Sequence, residues 1–413
     1  MTVYTPVLEM NRNGTGLTDT VIDTVSIIYG RQDVQDQPYP ATMNLRCYSN
    51  IGTNLDFLLD DEIQFLIDSI ACFTGYISQI DISMSAGINN QNIAYYDLSC
   101  AAPLAFLSRT DAANITLPYQ TDTIRIDELL IRAFALLWSD LGSPNTTSLK
   151  WSQYTPTLTW ANFEPAYPVA TVPAINGTGQ HTVAALTSSA TDTLTLCQET
   201  ASSAKGILYD TPSGQITYDD ALQRLTPTQT ITVTSDIVLT ESMTNSLNIG
   251  DLVNVANVQI ADGTTAQAIS QTSIDLYGPR VATKVTILED ISSAESQATE
   301  YVYSRSIPQY AIRSFTVPLH IDEIDNIMRG ELLTLTLNTA LIWPAALLPE
   351  PLKQYTDTIN FVEGWSINAN RTSIYLTIYQ SPRSLTFGHK MWLEVYNLLT
   401  WNTYDVQTEW KDA

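Results

Sequence analysis

Apolar and polar residues alternate along the first 120 residues of the chain, which predicts β-strands. A residue period of two places every second side chain on the same face of a strand, as in a half-buried sheet. Turn residues at 87–90 and a proline-rich link at 37–40 separate the alternating runs. These runs lie at 25–29, 42–47, 62–67, 72–82 and 93–100. Residues 1–120 are therefore predicted to form a first β domain.

Apolar residues recur at helical spacing in the next segment. One helix is predicted to begin after a capping Asp127 and to end at Gly142, and a second to span 193–204 between Asp192 and Gly206. A hairpin at 207–218 follows the second helix directly. The apolar face of the first helix comprises Leu129, Leu130, Ala133, Phe134, Leu137, Trp138 and Leu141. Residues 121–225 are predicted to form an α+β domain.

The rest of the chain is divided into three predicted parts. Residues 226–318 contain short strands at 231–233, 237–239 and 253–260 and a helix from Ile291, with Pro308 beyond its end. They are predicted to form a mixed α+β domain. Residues 319–385 contain strands at 332–337, 358–361 and 373–379 and are predicted to form a second β domain. Residues 386–413 form an aromatic-rich C-terminal tail.

Two distant segments share a pattern. Phe73 to Ser78 is followed by the strand 93–100 and a proline, and 361–367 is followed by the strand 372–379 and a proline. In each, a strand is predicted to reach a glycine–aromatic pair (Gly75–Tyr76 and Gly364–Trp365), to turn there and to pair with the next strand. We interpret this as two similar β modules flanking an α+β middle, with chance similarity between hairpins as the alternative. The fold class expected is a β-rich α+β multidomain protein.

The charge of the chain narrows the classes of function. It has 19 lysines and arginines against 43 aspartates and glutamates, a net charge of −24. A chain this acidic gains little from displacing counterions on a phosphate backbone, and an anionic lipid surface repels it. Sequence-specific nucleic-acid binding is therefore not expected. No apolar run approaches the ~18 residues of a membrane span and no signal peptide is readable, so membrane anchoring is not expected.

Candidate catalytic histidines are few. His181, His320 and His389 lie in three different segments, and no Gly-x-Ser-x-Gly or cysteine-flanking motif accompanies them. They are interpreted as ordinary surface or core histidines. Asp322 lies in an acidic run that could ligate a metal, and it is interpreted instead as the cap of a short helix.

Paired carboxylates and cysteines complete the candidate chemistry. The acidic runs at 60–62 and 219–220 could suggest glycoside hydrolysis, but nothing sets their separation across a cleft, so solvated turns are predicted. The cysteines show no C-x-x-C spacing and are predicted to be free and buried; they are Cys47, Cys72, Cys100 and Cys197. No catalytic, cofactor-binding or metal-binding residue is predicted, and no cofactor is expected.

Four segments, taken in order, carry a resemblance to a known family. The first, at 25–45, is a strand, a Gly30–Arg31 turn and a proline-containing link. The second is the hairpin at 73–109, and the third is the helix and hairpin at 194–217. The fourth combines 273–280, the helix from Ile291 and the strands at 364–382. Together they cover most of residues 20–385. This order resembles the baseplate hub, or minor tail, proteins of long-tailed bacteriophages, particularly those of actinobacteria. No lysozyme-like segment is recognisable, so cell-wall cleavage is not implied.

The resemblance implies a non-enzymatic virion protein at the phage tail tip, made in the host cytoplasm. It implies a homotrimer in which two barrel-like β domains per subunit form a pseudo-sixfold ring, through which DNA passes. The implied partners are the distal tail protein ring, the tape-measure protein and peripheral tail-tip proteins or fibres. Two alternatives stay open. One is a sixfold distal tail or fibre-adaptor ring. The other is a carbohydrate-binding or hydrolysing tail-tip protein, which requires an exposed aromatic cluster beside paired carboxylates.

The aromatic tail is open to two interpretations. Trp392, Trp401 and Trp410 lie in a terminal run that has little fold of its own in which to bury them. The tail either contacts a partner or packs back on the last β domain.

Overall fold

The fold is described from a computed structural model. The structure describes residues 7–31, 36–51, 54–86, 92–110, 112, 115–139, 173–187, 191–225, 230–233, 242, 245–247, 249–308, 310–318, 334–337 and 359–382. Several predicted features lie outside these residues. They are the strand at 237–239, the helix end at Gly142, the helix cap Asp322, the histidines His320 and His389, and the tail 386–413. Within them the chain is β-rich, with several sheets and a few helices.

The strands and helices of the described residues have the following bounds. The strands are β1 (Leu8–Arg12), β2 (Thr15–Gly16), β3 (Thr20–Gly30), β4 (Thr42–Ser49), β5 (Glu62–Ile67), β6 (Ile70–Ala86), β7 (Asn92–Ala101), β8 (Thr116–Leu117), β9 (Gln120–Thr121), β10 (Ala174–Asn176), β11 (Thr182–Val183), β12 (Leu186–Thr187), β13 (Ile207–Asp210), β14 (Ile216–Asp219), β15 (Thr230–Val233), β16 (Asn245–Leu247), β17 (Val255–Gln259), β18 (Thr265–Ile269), β19 (Val281–Val285), β20 (Tyr310–Ile312), β21 (Ser314–Pro318), β22 (Thr334–Leu337), β23 (Ile359–Asn370) and β24 (Ile374–Pro382). The α-helices are α1 (Asp122–Ser139), α2 (Thr193–Ser203), α3 (Ala221–Leu225), α4 (Gln271–Tyr277) and α5 (Ile291–Arg305), and short 3-10 helices span Pro103–Arg109 and Ile249–Asp251.

One large sheet joins the two ends of the chain. Its central strands follow the order β24–β23–β3–β4–β7–β6–β5–β1, all antiparallel, with β21 beside β24. Strand β23 pairs with β3 from Gly364 opposite Gly30 to Asn370 opposite Thr24. The two predicted β modules are therefore joined, because β1–β7 and β21–β24 share this sheet.

A single hydrophobic core underlies the sheet. Alternate residues of the strands point into it, as the period of two requires: Val25, Ile27 and Tyr29 on β3 are buried, whereas Thr24 and Ile28 are exposed. The core combines residues from both ends of the chain, among them Met43, Phe65, Phe73, Phe315, Val317, Ile367 and Leu376. Burial of these side chains holds the two predicted modules together.

A second hydrophobic core forms around α1, α2 and the hairpin β13–β14. Leu129, Leu130 and Ala133 of α1 pack with Cys197 of α2 and Leu208 of β13. Leu104 and Leu107 of the first 3-10 helix and Leu117 also belong to this core. The helix α2 begins as predicted, since the Asp192 carboxylate accepts a hydrogen bond from the Thr195 backbone N–H at 2.8 Å.

A third core lies between a small sheet and α5. Strands β18, β17 and β19 form this sheet, with β17 parallel to β19. The predicted face of α5 packs on it through Ala294, Ala298 and Val302, and Pro308 follows the end of the helix as expected. The domain boundaries placed at 120, 225 and 318 stay predictions.

The start of α1 differs from the prediction. The helix begins at Asp122, and the expected cap Asp127 lies inside it. Its first turn is polar but buried: the Asp122 carboxylate accepts a hydrogen bond from the Tyr218 hydroxyl at 2.6 Å, and the Arg125 guanidinium donates to the carbonyls of Pro118 and Ala184 at 2.8 Å each. Apolar periodicity does not register a buried polar turn, so the sequence pattern placed the start too late.

The repeated glycine–aromatic pairs lie inside strands and not at turns, so the turns expected there are wrong. Gly75 lies within β6 and Gly364 within β23, and both are strand positions at which another chain segment approaches closely. A Cβ on Gly364 would lie 2.4 Å from the Tyr29 carbonyl oxygen. The pairing of each strand with the next one is confirmed, as β6 with β7 and β23 with β24.

Candidate functional site

One of the three histidines, His181, lies within the described residues, beside Asp122. His181 is half-buried, and its backbone N–H donates to the Asp122 carboxylate at 3.1 Å. Burial lowers the pKa of its imidazole, and the Asp122 charge opposes that shift. Nδ1 is buried without a hydrogen-bond partner among the described residues. No serine or cysteine nucleophile is placed beside it by the contacts of the described part of the chain.

The acidic pair at 219–220 is buried, so the solvated turn predicted there is wrong. Asp219 accepts hydrogen bonds from the Asn176 amide at 2.6 Å and the Tyr209 hydroxyl at 2.9 Å. Burial raises the pKa of its carboxyl above the usual value, and these hydrogen bonds oppose the shift. Asp220 accepts from the backbone N–H groups of Gln223 and Gly179. Both carboxylates therefore fasten β14 to its neighbours.

The second acidic run is partly buried. Asp60 lies at a turn with exposed side chain, as predicted, but Asp61 is buried and the solvated turn predicted for it is wrong. Asp61 lies 2.7 Å from the Arg12 guanidinium and accepts a hydrogen bond from the Asn13 amide at 2.9 Å. Burial alone would raise the pKa of Asp61, but these partners hold it below its usual value. This carboxylate joins the end of β1 to β5.

A buried ionic network connects β3, β23 and α3. Glu363 is 2% exposed, and its Oε2 lies 2.5 Å from Arg31 Nη2 and 2.6 Å from Arg31 Nε. Its Oε1 lies 3.6 Å from Arg224 Nη2 and accepts a hydrogen bond from the Ser381 hydroxyl. Burial alone would raise the pKa of Glu363, but Arg31 and Arg224 outweigh it and hold the pKa below its usual value. The network fixes the junction of the sheet with the second core.

Sequence reasoning did not find this network. The sequence pattern marks Arg31 only as part of a turn, and Glu363 is 332 residues away from it. No local spacing relates the two residues, and only the pairing of β3 with β23 brings them together.

A polar groove crosses the solvent face of the large sheet. It is lined by side chains of six neighbouring strands and encloses about 410 Å³. Asp81 and Asp97 lie directly opposite each other on β6 and β7, and Arg46 on β4 lies 3.7 Å from Asp97. Tyr375 on β24 also lines the groove and is 41% exposed.

An aromatic cluster lies beside the groove. Tyr48 and Tyr95 pack edge to face with ring centroids 5.3 Å apart, and the Arg46 guanidinium lies 4.5 Å from the centre of the Tyr95 ring. Rings beside carboxylates and amides offer stacking and hydrogen bonding to one ligand. The carbohydrate-binding alternative requires an exposed aromatic cluster beside paired carboxylates; here Tyr48 and Tyr95 are half-buried and Tyr375 is exposed.

The four cysteines are free and buried, which confirms that prediction. Burial raises the pKa of the Cys47 and Cys100 thiols to about 12. Among the described residues, no group of three or more histidine, cysteine, aspartate and glutamate side chains is arranged to hold a metal ion. In that same part of the chain, no helix is both long and apolar enough to span a membrane.

No protein-family model matches the sequence, and no curated protein matches it significantly. The structure is similar to that of a tail protein from Neisseria meningitidis MC58, with a TM-score of 0.57 at 10% identity, covering 94% of this chain and 100% of that chain. It is also similar to the 43 kDa tail protein of prophage MuSo2 from Shewanella oneidensis, with a TM-score of 0.55 at 10% identity. That similarity covers 92% of this chain and 99% of the prophage protein.

These similarities define the class of fold. The chain has the fold of phage tail proteins, and the correspondence extends over nearly the whole of both chains. The fold expected from the resemblance of the sequence is confirmed at this level. Since fold alone does not define function, the role of this chain is a separate proposal.

Proposed function

We propose that the chain is a structural, non-enzymatic protein of a bacteriophage tail tip, and that it forms a homotrimeric baseplate hub. In this role it adapts the sixfold tail tube to the tip of the virion and lets DNA pass. Its partners are the distal tail protein ring, the tape-measure protein and peripheral tail-tip proteins or fibres. The observation that carries the proposal is the fold shared with two phage tail proteins over almost their full length.

The arrangement of the large sheet supports an assembly of three copies with threefold symmetry. The hairpins β6–β7 and β23–β24 lie on opposite sides of the central pair β3–β4, so each chain presents two β elements of similar build. Three copies would present six such elements, which matches a sixfold tube. We propose that these elements form the barrel-like domains of a pseudo-sixfold ring.

The charge of the chain supports passage of DNA. A net charge of −24 lets the ring present carboxylates to its lumen, where like charge prevents the duplex from adhering. A map of the assembled ring tests this directly, because a lumen lined by lysine and arginine would contradict it.

The test of the hub is the number of copies in the assembly. We expect light scattering of the purified full chain, or cryo-electron microscopy of the virion, to show three copies with both hairpins in one ring. Six copies would favour the distal tail or fibre-adaptor ring instead. A stable monomer in both settings would contradict the assembly role.

Binding of carbohydrate is a second candidate function. The groove that contains Tyr375, Asp81 and Asp97 beside the Tyr48–Tyr95 pair is the observation that favours it. Glycan-array binding by the full chain, lost in Tyr375→Ala and Asp97→Asn and kept in the exposed control Tyr277→Ala, would support it. Absence of binding to any cell-wall glycan would remove it.

A further inference from the structure

A second cavity, separate from the groove, lies where the three hydrophobic cores meet. It encloses about 290 Å³, far more than the ~15 Å³ that one water needs. Its walls come from the ends of β3 and α2, from α3, from the small sheet β17–β19 and from α5. Thr283 lines it and is exposed, so the cavity communicates with solvent at the edge of the small sheet.

The cavity gathers positive charge in an otherwise acidic chain. Among the described residues, five of the chain's 19 lysines and arginines line it, namely Arg31, Lys205, Arg224, Lys284 and Arg305. Three carboxylates lie within their electrostatic reach. Glu363 pairs with Arg31 and Arg224, Glu300 lies 2.6 Å from Lys205 Nζ, and Asp219 acts on Arg224. The cations therefore exceed the carboxylates by two.

Lys284 and Arg305 form no ion pair among the described residues, although the charge of Glu300 acts on Lys284. Lys284 Nζ donates to the Ser202 carbonyl at 2.7 Å, and no carboxylate of the described residues lies within ion-pair distance of it. Arg305 is 5% exposed, and the contact that its guanidinium makes within the described residues is with the Tyr301 ring, 5.1 Å from the ring centre. Arg305 is a buried cation without an ion-pair partner among the described residues, which is disfavoured, and Lys284 is a half-buried one. An anion in the cavity would compensate both charges.

One wall of the cavity carries a hydrogen-bond acceptor, the carboxylate of Glu300. Glu300 lines it, and Oε1 of this residue is buried without a hydrogen-bond partner among the described residues. A hydrogen phosphate carries both negative oxygens for the cations and an O–H group for a carboxylate. Sulfate at neutral pH has no such O–H group, so the combination selects phosphate.

We propose that this cavity binds a phosphate group, as inorganic phosphate or a phosphate monoester, held by Lys284 and Arg305. The bound anion joins the second and third cores, because Lys284 lies on β19 and Arg305 ends α5, while the end of α2 forms the opposite wall. Burial, with the charge of Lys205, lowers the pKa of Lys284 to about 8. Binding therefore weakens as the pH rises above that value and Lys284 loses its charge.

The test is titration calorimetry of the full chain in phosphate-free buffer with inorganic phosphate as the probe. We expect binding that Lys284→Gln and Arg305→Gln each weaken by about tenfold or more, since charge-assisted hydrogen bonds are lost. Lys284→Arg keeps the charge and should keep most of the affinity. Arg280→Gln, an exposed arginine just before β19, is the matched control and should bind as the parent does.

The melting temperatures of the variants show whether misfolding explains a loss of phosphate binding. Without phosphate, Lys284→Gln removes a half-buried cation that forms no ion pair among the described residues, so its melting temperature should stay close to that of the parent. Phosphate should then raise the melting temperature of the parent and not of this variant.

Three results would overturn the proposal. The first is absence of binding at millimolar phosphate, or equal binding by Lys284→Gln. The second is sulfate binding as tightly as phosphate, which would make the cavity a non-selective anion site. The third concerns Asp33, which lies two residues after Arg31 and outside the described residues. Tighter phosphate binding by Asp33→Asn would identify a carboxylate of the chain itself as the occupant.

Discussion

Glu363→Gln tests whether the buried ionic network holds the two ends of the chain together. The substitution keeps the shape of the side chain and removes its charge. Both guanidinium groups then stay buried, since Arg31 is 3% exposed and Arg224 is 8% exposed. The new amide N–H₂ group must also face either a guanidinium or the Ser381 hydroxyl.

The size of the effect follows from the geometry. Arg31 contacts one carboxylate oxygen through both Nε and Nη2, at 2.6 and 2.5 Å. Removing one partner of a buried ion pair costs about 3–5 kcal/mol, and the second arginine places this case near the upper half of that range. Domains have only about 5–15 kcal/mol of stability, so the loss would be large.

The assay is urea unfolding followed by circular dichroism, together with hydrogen exchange of the amides that pair β3 with β23. We expect a loss of about 4 kcal/mol, with the fastest gain in exchange near the Arg31 N–H, which donates to the Glu363 carbonyl at 2.9 Å. Glu295→Gln, an exposed glutamate on α5, is the matched control. Adding Arg31→Met to Glu363→Gln should recover part of the loss, because it removes one uncompensated charge.

The pH dependence gives an independent check. The pKa of Glu363 is lowered in the folded state, so its contribution is present above the unfolded value of about 4.3 and is lost as the pH falls through the folded pKa. The difference between parent and Glu363→Gln should therefore shrink in acid. A loss below about 1 kcal/mol at neutral pH, comparable with a surface substitution, would refute the reasoning.

Three further predictions follow from single positions. Burial raises the pKa of Asp210 to about 7, so stability should fall as the pH rises from about 4 to 7, and Asp210→Asn should flatten this fall in urea titrations at several pH values. Gly364→Ala should destabilise by more than about 2 kcal/mol because its Cβ would meet the Tyr29 carbonyl oxygen, whereas Gly16→Ala should be tolerated; equal melting temperatures would contradict this. The four buried thiols should react with a thiol reagent only after unfolding, and rapid labelling of the native protein would contradict their burial.

Local sequence patterns account for much of the secondary structure. Alternation with a period of two placed β5 at its observed bounds and put β3, β4, β6 and β7 in the right segments. Asp192 marked the start of α2, and the apolar spacing from Ile291 marked α5. Apolar surroundings predicted buried free cysteines. These features depend on neighbours within a few residues, which is the range over which a sequence pattern carries structural information.

The kind of site that the polar groove forms can be predicted from the sequence, but its residues cannot. The requirement for aromatic rings beside paired carboxylates could be stated in advance, but not the residues that meet it. Asp81 and Asp97 are 16 positions apart in the chain, and the register of β6 against β7 is what places them opposite each other. A shift of one residue would send one of them to the core face.

The choice of partner strands and the burial of charged side chains depend on contacts between distant parts of the chain. A period of two says which face of a strand is apolar, but it does not choose the partner strand, so the joining of β3 to β23 could not be read from either segment alone. The same long-range pairing buries Glu363 against Arg31 and requires a glycine at 364. Asp219 was predicted to be solvated because acidic pairs usually are. It is buried because Asn176 and Tyr209, distant in sequence or on the neighbouring strand, supply the hydrogen bonds that compensate for lost water.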